Sequence, residues 1–423
     1  MLLLLINIIL LFFIGKRIIK NPVNGLIIMP IVTYVIPENY NILRFYFLSP
    51  GFIISAFTLI SILYNFSLFA IINRINIIFK LVIIMYILNL LRAIGDDNFS
   101  NLKLFIQGPI PFILFTLAID NYKDAIRVLI YWTTSYGYFC FIYLIKIYWY
   151  SGASSLLLGL SGARNMNSWI DNAHNENVIA WVSLLYIPLS LMIFFNQKTI
   201  LSKLFFGTST LSIFVLMIFG QSRAGLGGLA IILFLLIIFY IKENGLLNSI
   251  IYIITLFLGF IVFVSFLIWI FNQGLLGHSS SFLQDIFFQE IYYRILNIFV
   301  SIEENFEKIS WFGSHNLDYY GTHSTFGKTV IEFGIFYSFC QFFILIHSLV
   351  SIYYLYNKSV VIEVSQFISK IFIAFIVSIP IMTLGVAFHS IEYIQVYLLF
   401  IGFNTLIIRL INKERQYQGM DTI

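Results

Sequence analysis

The residues best equipped for chemistry lie between Tyr292 and Gly334, where Arg294, His315, His323, Lys328 and Glu332 are interleaved with Trp311, Tyr319, Tyr320, Gly313, Gly321 and Thr322. This is the longest polar interruption in an otherwise apolar chain. A guanidinium grips pairs of phosphate oxygens in a planar fork. An imidazole exchanges a proton with a hydroxyl near neutral pH. Cations, imidazoles, aromatic rings and small residues in one loop suit a sugar or a phosphate. His323 lies in Thr322-His323-Ser324-Thr325-Phe326, nine residues ahead of the Glu332 that begins Glu332-Phe333-Gly334. His315-Asn316 in the same loop is equally capable, and the residues alone leave that choice open.

Two further stretches carry functional side chains. In Gln221-Ser222-Arg223-Ala224-Gly225, Ser222 can cap a helix whose free amides, beside Arg223, make an anion site. Gly225, Gly227 and Gly228 permit close backbone approach, although small residues in membrane helices usually serve packing. The second stretch, Ser151 to Glu176, holds Arg164, Asn165, Trp169, Asp171, His174 and Asn175. Amides, a carboxylate and an indole together suit carbohydrate, and they also populate ordinary wet loops. No metal is expected: His315 and His323 lack the spacing of a helical ligand pair, and Cys140 and Cys340 lie elsewhere in apolar runs. His389 and Glu392, at i, i+3 spacing, read as a local polar cluster.

These segments need elements to position them, and composition says which. Hydrophobic residues make up 60% of the 423 and charged residues only 10%, against about 25% charged in soluble domains. That excludes an ordinary soluble protein. The apolar runs approach the roughly 20 residues a membrane helix needs and lack the short alternation of a barrel. The expected fold is therefore all-α, a polytopic transmembrane bundle of about 12–13 spans. They fall near 2–15, 23–37, 51–72, 75–94, 105–120, 126–149, 177–195, 203–220, 223–241, 249–271, 329–356, 367–387 and 390–409. Met1 to Ile14 reads as the first of these, since Lys16, Arg17 and Lys20 follow it and no small-residue cleavage site does. No repeat or soluble domain interrupts the chain, so residues 1–423 form one membrane domain.

Orientation follows from charge. Alternating the spans gathers Lys16, Arg17, Lys20, Arg74, Lys123, Arg127, Lys198, Lys203, Lys242, Lys358, Arg409, Lys413 and Arg415 on one face, the cytoplasmic one by the positive-inside rule. The net charge of +5 thus reports topology and implies no nucleic acid. The segments 38–50, 95–104, 150–176, 221–223, 272–328 and the junction near His389 then face outward. Arg164, Arg223, Arg294 and Lys328 sit on the face that disfavours cations, which calls for an anion or a carboxylate to retain them. Pairing with Asp171, Glu176, Asp285 or Glu290 would serve.

The Gln-Ser-Arg-Ala-Gly helix entry, the later outward loop with an arginine, and a histidine ahead of Glu-Phe-Gly-Ile-Phe resemble the O-antigen ligase and O-antigen polymerase (Wzy) superfamily over roughly residues 155–350. The family usually has Asn after the histidine and Leu or Tyr within Glu-x-Gly; here Ser324 and Phe333 stand there. The resemblance implies an inverting, metal-independent glycosyltransferase without a cofactor. It would sit in a bacterial cytoplasmic membrane, with its site facing outward. The donor would be a polyprenyl-diphosphate-linked oligosaccharide, its diphosphate held by Arg164, Arg223 and Arg294, with His323 as catalytic base. Trp169, His174, His315, Asn316 and Lys328 would line the substrate path. The expected activity is repeat-unit polymerisation, with membrane lipid and a chain-length regulator protein as partners. The alternatives are a ligase transferring to lipid A–core and a flippase or other transporter. A transporter would show buried charges within spans and repeated halves, neither of which is evident.

Overall fold

The structure is a computed structural model of the whole chain. It describes residues 2–35, 50–95, 110–157, 176–219 and 334–358, together with Leu229, Ile232, Leu296, Val300, Glu303, Trp311, Val330, Ile401, Gly402, Thr405, Leu406, Ile408, Arg409 and Leu410.

Among the described residues the structure is helical, with no strand. In chain order the helices are α1 (Leu2–Lys20), α2 (Val23–Pro30), α3 (Pro50–Asn65), α4 (Leu68–Ile72), α5 (Ile77–Gly95), α6 (Ile110–Ala118), α7 (Tyr122–Leu157), α8 (Glu176–Phe195), α9 (Ile200–Phe219) and α10 (Gly334–Lys358). Within these, Lys123–Trp149 and Ile200–Ile218 are long and apolar enough to cross a membrane.

Local chemistry explains where several helices begin. The side-chain oxygens of Asn21, Asn76 and Asn121 accept from the amides of Val23, Phe79 and Asp124 at 3.0, 2.9 and 2.9 Å. Ser67 and Thr199 do the same for Ala70 and Ser202. Each supplies an acceptor that a helix start otherwise lacks. Inside helices, the hydroxyls of Ser55, Thr58 and Ser212 donate to carbonyls four residues earlier. That lets polar residues sit buried in apolar surroundings.

Of the boundaries that differ from those expected, two have a plain local reason. The run 51–72 is divided, because Ser67 starts a new helix after Asn65. α7 continues through Leu157, into the segment 150–176 assigned to a connection. Tyr150-Ser-Gly-Ala-Ser-Ser ends the apolar run without ending the helix, since polarity and helicity are separate properties. Within 272–328, Leu296, Val300 and Glu303 are helical.

Contacts fix the direction of most helices. α1 and α3 run parallel: Gly15 lies against the Phe57 ring, and Ser61 and Asn65 donate to the Ile19 carbonyl at 3.0 and 2.8 Å. α2 runs opposite to α3, with Gly25 against Thr58 and Gly51 against Thr33. α5 and α6 are antiparallel, since Phe79 meets Phe112 with ring centroids 5.5 Å apart while Arg74 reaches Leu117 and Asp120. The helical stretch around Gly402 and Arg409 runs alongside α6, Gly402 beside Phe112 and Arg409 at Thr116 and Ile119. α7 follows the direction of α2, Trp132 meeting Leu26 and Phe139 meeting Tyr34.

One end of the assembly therefore collects the C-termini of α1, α3 and α6 and the N-termini of α2, α5 and α7. Lys16, Arg17, Lys20, Arg74, Lys123, Arg127 and Arg409 belong to that end by position. α8 and α9 form an antiparallel hairpin: Thr210 donates to the Ser190 carbonyl at 3.2 Å and Gly207 faces the Phe194 ring. Lys198 and Lys203 flank its turn.

Between α2, α7 and α8 the core is aromatic. Tyr34 touches Trp132, Tyr136 and Phe139; Tyr136 stacks on Tyr186 at 4.8 Å and shares a 3.1 Å hydrogen bond with Ser183. Cys140 is buried beside this group and Cys340 is buried on α10; both are free thiols, in keeping with their reading as small core residues.

Candidate functional site

The structure gives roots for the segments that sequence singled out. The antiparallel packing of α8 and α9 sets the beginning of α8 beside the end of α9. The segment 158–175, which carries Arg164, Trp169 and His174, and the segment from 220 onward, which carries Arg223, thus attach at the same end of that hairpin. α7 supplies the other root of 158–175. At 1.5 Å per residue its 36 residues extend about 54 Å, beyond the roughly 30 Å of a bilayer core.

The histidine-bearing segment has its own closure. The Phe336 amide donates to the Trp311 carbonyl at 3.2 Å, so the chain from 312 to 333 leaves and returns at one place, the N-terminus of α10. That amide is one of the first-turn donors a helix leaves unpaired. Gly334 has φ 89°, a conformation that favours glycine because a Cβ there crowds the following carbonyl. The glycine of Glu332-Phe333-Gly334 is thereby explained by backbone geometry, and the Ser338 hydroxyl donates to its carbonyl at 2.9 Å. Trp311 is exposed beside this junction.

Arg164, Trp169, His174, Arg223, Arg294, His315, Asn316, His323 and Lys328 lie outside the described residues, as do His389 and Glu392. No group of three His, Cys, Asp or Glu side chains that could hold a metal occurs among the described residues.

The chain matches no family model, no curated protein and no solved structure. Its functional reading rests on its own residues and their placement.

A polar cluster whose members read in the sequence only as topological charge is assembled at the cation-rich end. Arg74 donates to the Leu117 carbonyl and to Asp120, the latter at 2.7 Å, and pairs with the second Asp120 oxygen at 2.6 Å. Its guanidinium carbon lies 3.9 Å from the centre of the Phe66 ring, a cation–π contact. Arg409 donates to the Thr116 carbonyl at 2.8 Å and to the Ile119 carbonyl. Two guanidinium groups distant in sequence thus cap the last turn of α6, where carbonyls lack helical partners and the dipole favours cations. A signal is present in the sequence: Asp120-Asn121 interrupts an apolar run between arginines that need acceptors. Spacing does not reveal that Arg409 belongs with them.

Proposed function

We propose that this chain is a polytopic membrane glycosyltransferase that polymerises lipid-linked oligosaccharide repeat units. The observation that carries the reading is the side-by-side attachment of the Arg164 and Arg223 segments at one end of the α8–α9 hairpin, because a diphosphate needs cations from both. The Phe336–Trp311 hydrogen bond supports it by joining, at the start of α10, the two ends of the segment that carries His315, His323 and Lys328 in sequence.

Membrane residence draws support from the surfaces of the helices. Leu201, Leu204, Phe205 and Leu211 on α9 and Phe141, Ile145, Tyr148 and Trp149 on α7 are exposed. Apolar surface this extensive is disfavoured against water and natural against lipid. The cation-rich end is assigned to the cytoplasm by the positive-inside rule. The α8–α9 turn with Lys198 and Lys203 belongs there too, so the paired segment roots face outward.

In the proposed reaction the acceptor sugar hydroxyl attacks the anomeric carbon of the donor repeat while His323 takes its proton. The anomeric carbon–oxygen bond breaks, and the electron pair leaves with the polyprenyl diphosphate. Arg164, Arg223 and Arg294 stabilise the charge that develops there, the role of preorganised electrostatics in group transfer. Attack opposite the leaving group inverts the anomeric centre.

The test is glycan display by gel in a deletion host complemented with wild type, Arg223→Ala, Arg294→Ala, His315→Ala or His323→Ala, with membrane levels matched. The host should show a single repeat on lipid A–core, and wild type should restore a ladder. His323→Ala should lower polymerisation about 10²–10⁴-fold, the usual contribution of a positioned base. Lipid-linked polymer accumulating in the deletion host would instead identify a ligase, and full ladders from all four variants would remove the outward site.

A further inference from the structure

We infer that Arg409 is a conformational latch that holds the carboxyl-terminal helical stretch on α6, and that Asp120 controls how firmly it closes. The inference rests on the described contacts and is independent of the catalytic reading.

The geometry is asymmetric. Ile401, Leu406 and Leu410 are buried, and Gly402 approaches Phe112 so closely that an added Cβ would lie 3.1 Å from its ring. The approach of Gly402 to Phe112 and Phe115 gives the stretch apolar contact with α6. Arg409 adds direction, because its two terminal nitrogens donate to carbonyls at the end of α6, one to Thr116 in its last turn and one to Ile119 just beyond it. These acceptors are backbone groups rather than side chains. The latch therefore recognises a helix end, and a register shift of the stretch by one turn would take the guanidinium away from both carbonyls.

Charge makes the closure conditional. Arg74 occupies the adjacent Leu117 carbonyl, so closing brings a second cation to the same helix terminus. The carboxylate that offsets them is Asp120, whose side chain is 46% exposed while that of Arg74 is only 10% exposed. Lys123, Arg127 and Asp124 on the first turns of α7 belong to the same end. Neutralising Asp120 leaves Arg74 and Arg409 opposed chiefly by backbone dipoles, which weakens the latch without touching any contact of Arg409.

Position 405 reports opening, because Thr405 lies between Gly402 and Arg409 and is 4% exposed. The full-length chain carrying Thr405→Cys is treated with N-ethylmaleimide in native membranes, and labelling of the introduced thiol and of the buried Cys140 is followed separately by mass spectrometry. Arg409→Gln should raise the labelling rate of the introduced thiol about tenfold or more, as expected for losing hydrogen bonds from a charged donor, with Cys140 unchanged. Asp120→Asn should raise it as well, by a smaller factor, and should add little in the Arg409→Gln background. Labelling at position 405 that stays at its parental rate in both variants, or that rises only in step with Cys140, would overturn the latch.

Discussion

Pro30 and Trp132 make a coupled pair whose strength can be measured. Pro30 has no N–H, so the Leu26 carbonyl, four residues earlier, loses its helical donor. The chain beyond Pro30 widens into the π-helical turn Ile31–Val35. Leu26 is fully buried and cannot turn to water, and the Trp132 indole N–H meets its carbonyl at 3.0 Å. Trp132→Phe keeps an aromatic ring and removes the donor. The unsatisfied carbonyl should cost about 1–3 kcal/mol, in addition to the smaller ring's lost packing. In a Pro30→Ala background the residue 30 amide can bond Leu26 itself, so the hydrogen-bond part of the penalty should vanish and only the packing part persist. A double-mutant cycle isolates the difference, with a coupling of about 1 kcal/mol or more. Equilibrium unfolding in mixed micelles, followed by far-ultraviolet circular dichroism, avoids relying on tryptophan emission. A coupling under about 0.5 kcal/mol, where independent sites simply add, would refute the assignment of Trp132 as the surrogate donor.

Other contacts make further predictions. Gly137→Ala should destabilise the fold by about 1–3 kcal/mol through overpacking, because the new Cβ would lie 2.8 Å from the Ser209 backbone carbonyl oxygen. Ser209→Ala should rescue it only in part in thermal unfolding, since it removes the Oγ that the new Cβ would also strike but leaves the Ser209 Cβ position and backbone carbonyl 2.8 Å away. Gly334→Ala should cost about 1–2 kcal/mol for its φ of 89°, and Gly334→Val should cost more than Gly334→Asn by the same assay. The exposed apolar faces of α7 and α9 predict that the chain stays in the pellet after alkaline carbonate washing and is released by detergent. Release by carbonate would argue against membrane insertion.

How much can be read from the sequence differs between the fold and the site, for physical reasons. Helical character follows from long apolar runs, whereas the starts set by Asn21, Asn76 and Asn121 are not picked out by the apolar pattern, which places the last of them at 126 rather than Tyr122. The end of α7 escapes such a reading because Tyr150 to Leu157 is polar enough to leave the apolar run yet remains helical. Helix direction is more legible, because alternation and cation position are coupled: Arg74 and Arg409 converge on α6 although one precedes it and the other lies far beyond. Convergence itself is not legible, since nothing in a local window says which distant arginine reaches which carbonyl. The same limit applies to Pro30, whose cost is visible in the sequence while its remedy, Trp132, is an encounter between two elements.

The candidate site sharpens this distinction. Its motif residues stand out for side-chain chemistry, yet Gly334 and Trp311 act through the backbone, one by adopting a left-handed conformation and one by offering a carbonyl. A loop bearing catalytic side chains must be closed by groups that take no part in the chemistry, otherwise the entropy of ordering it falls on substrate binding. The Trp311–Phe336 hydrogen bond joins the two ends of that segment at a helix N-terminus, where first-turn amides have no partners within the helix. The glycine and the tryptophan are therefore as much part of the proposed catalytic apparatus as the histidines between them, although neither would be chosen from a search for acids, bases and ligands.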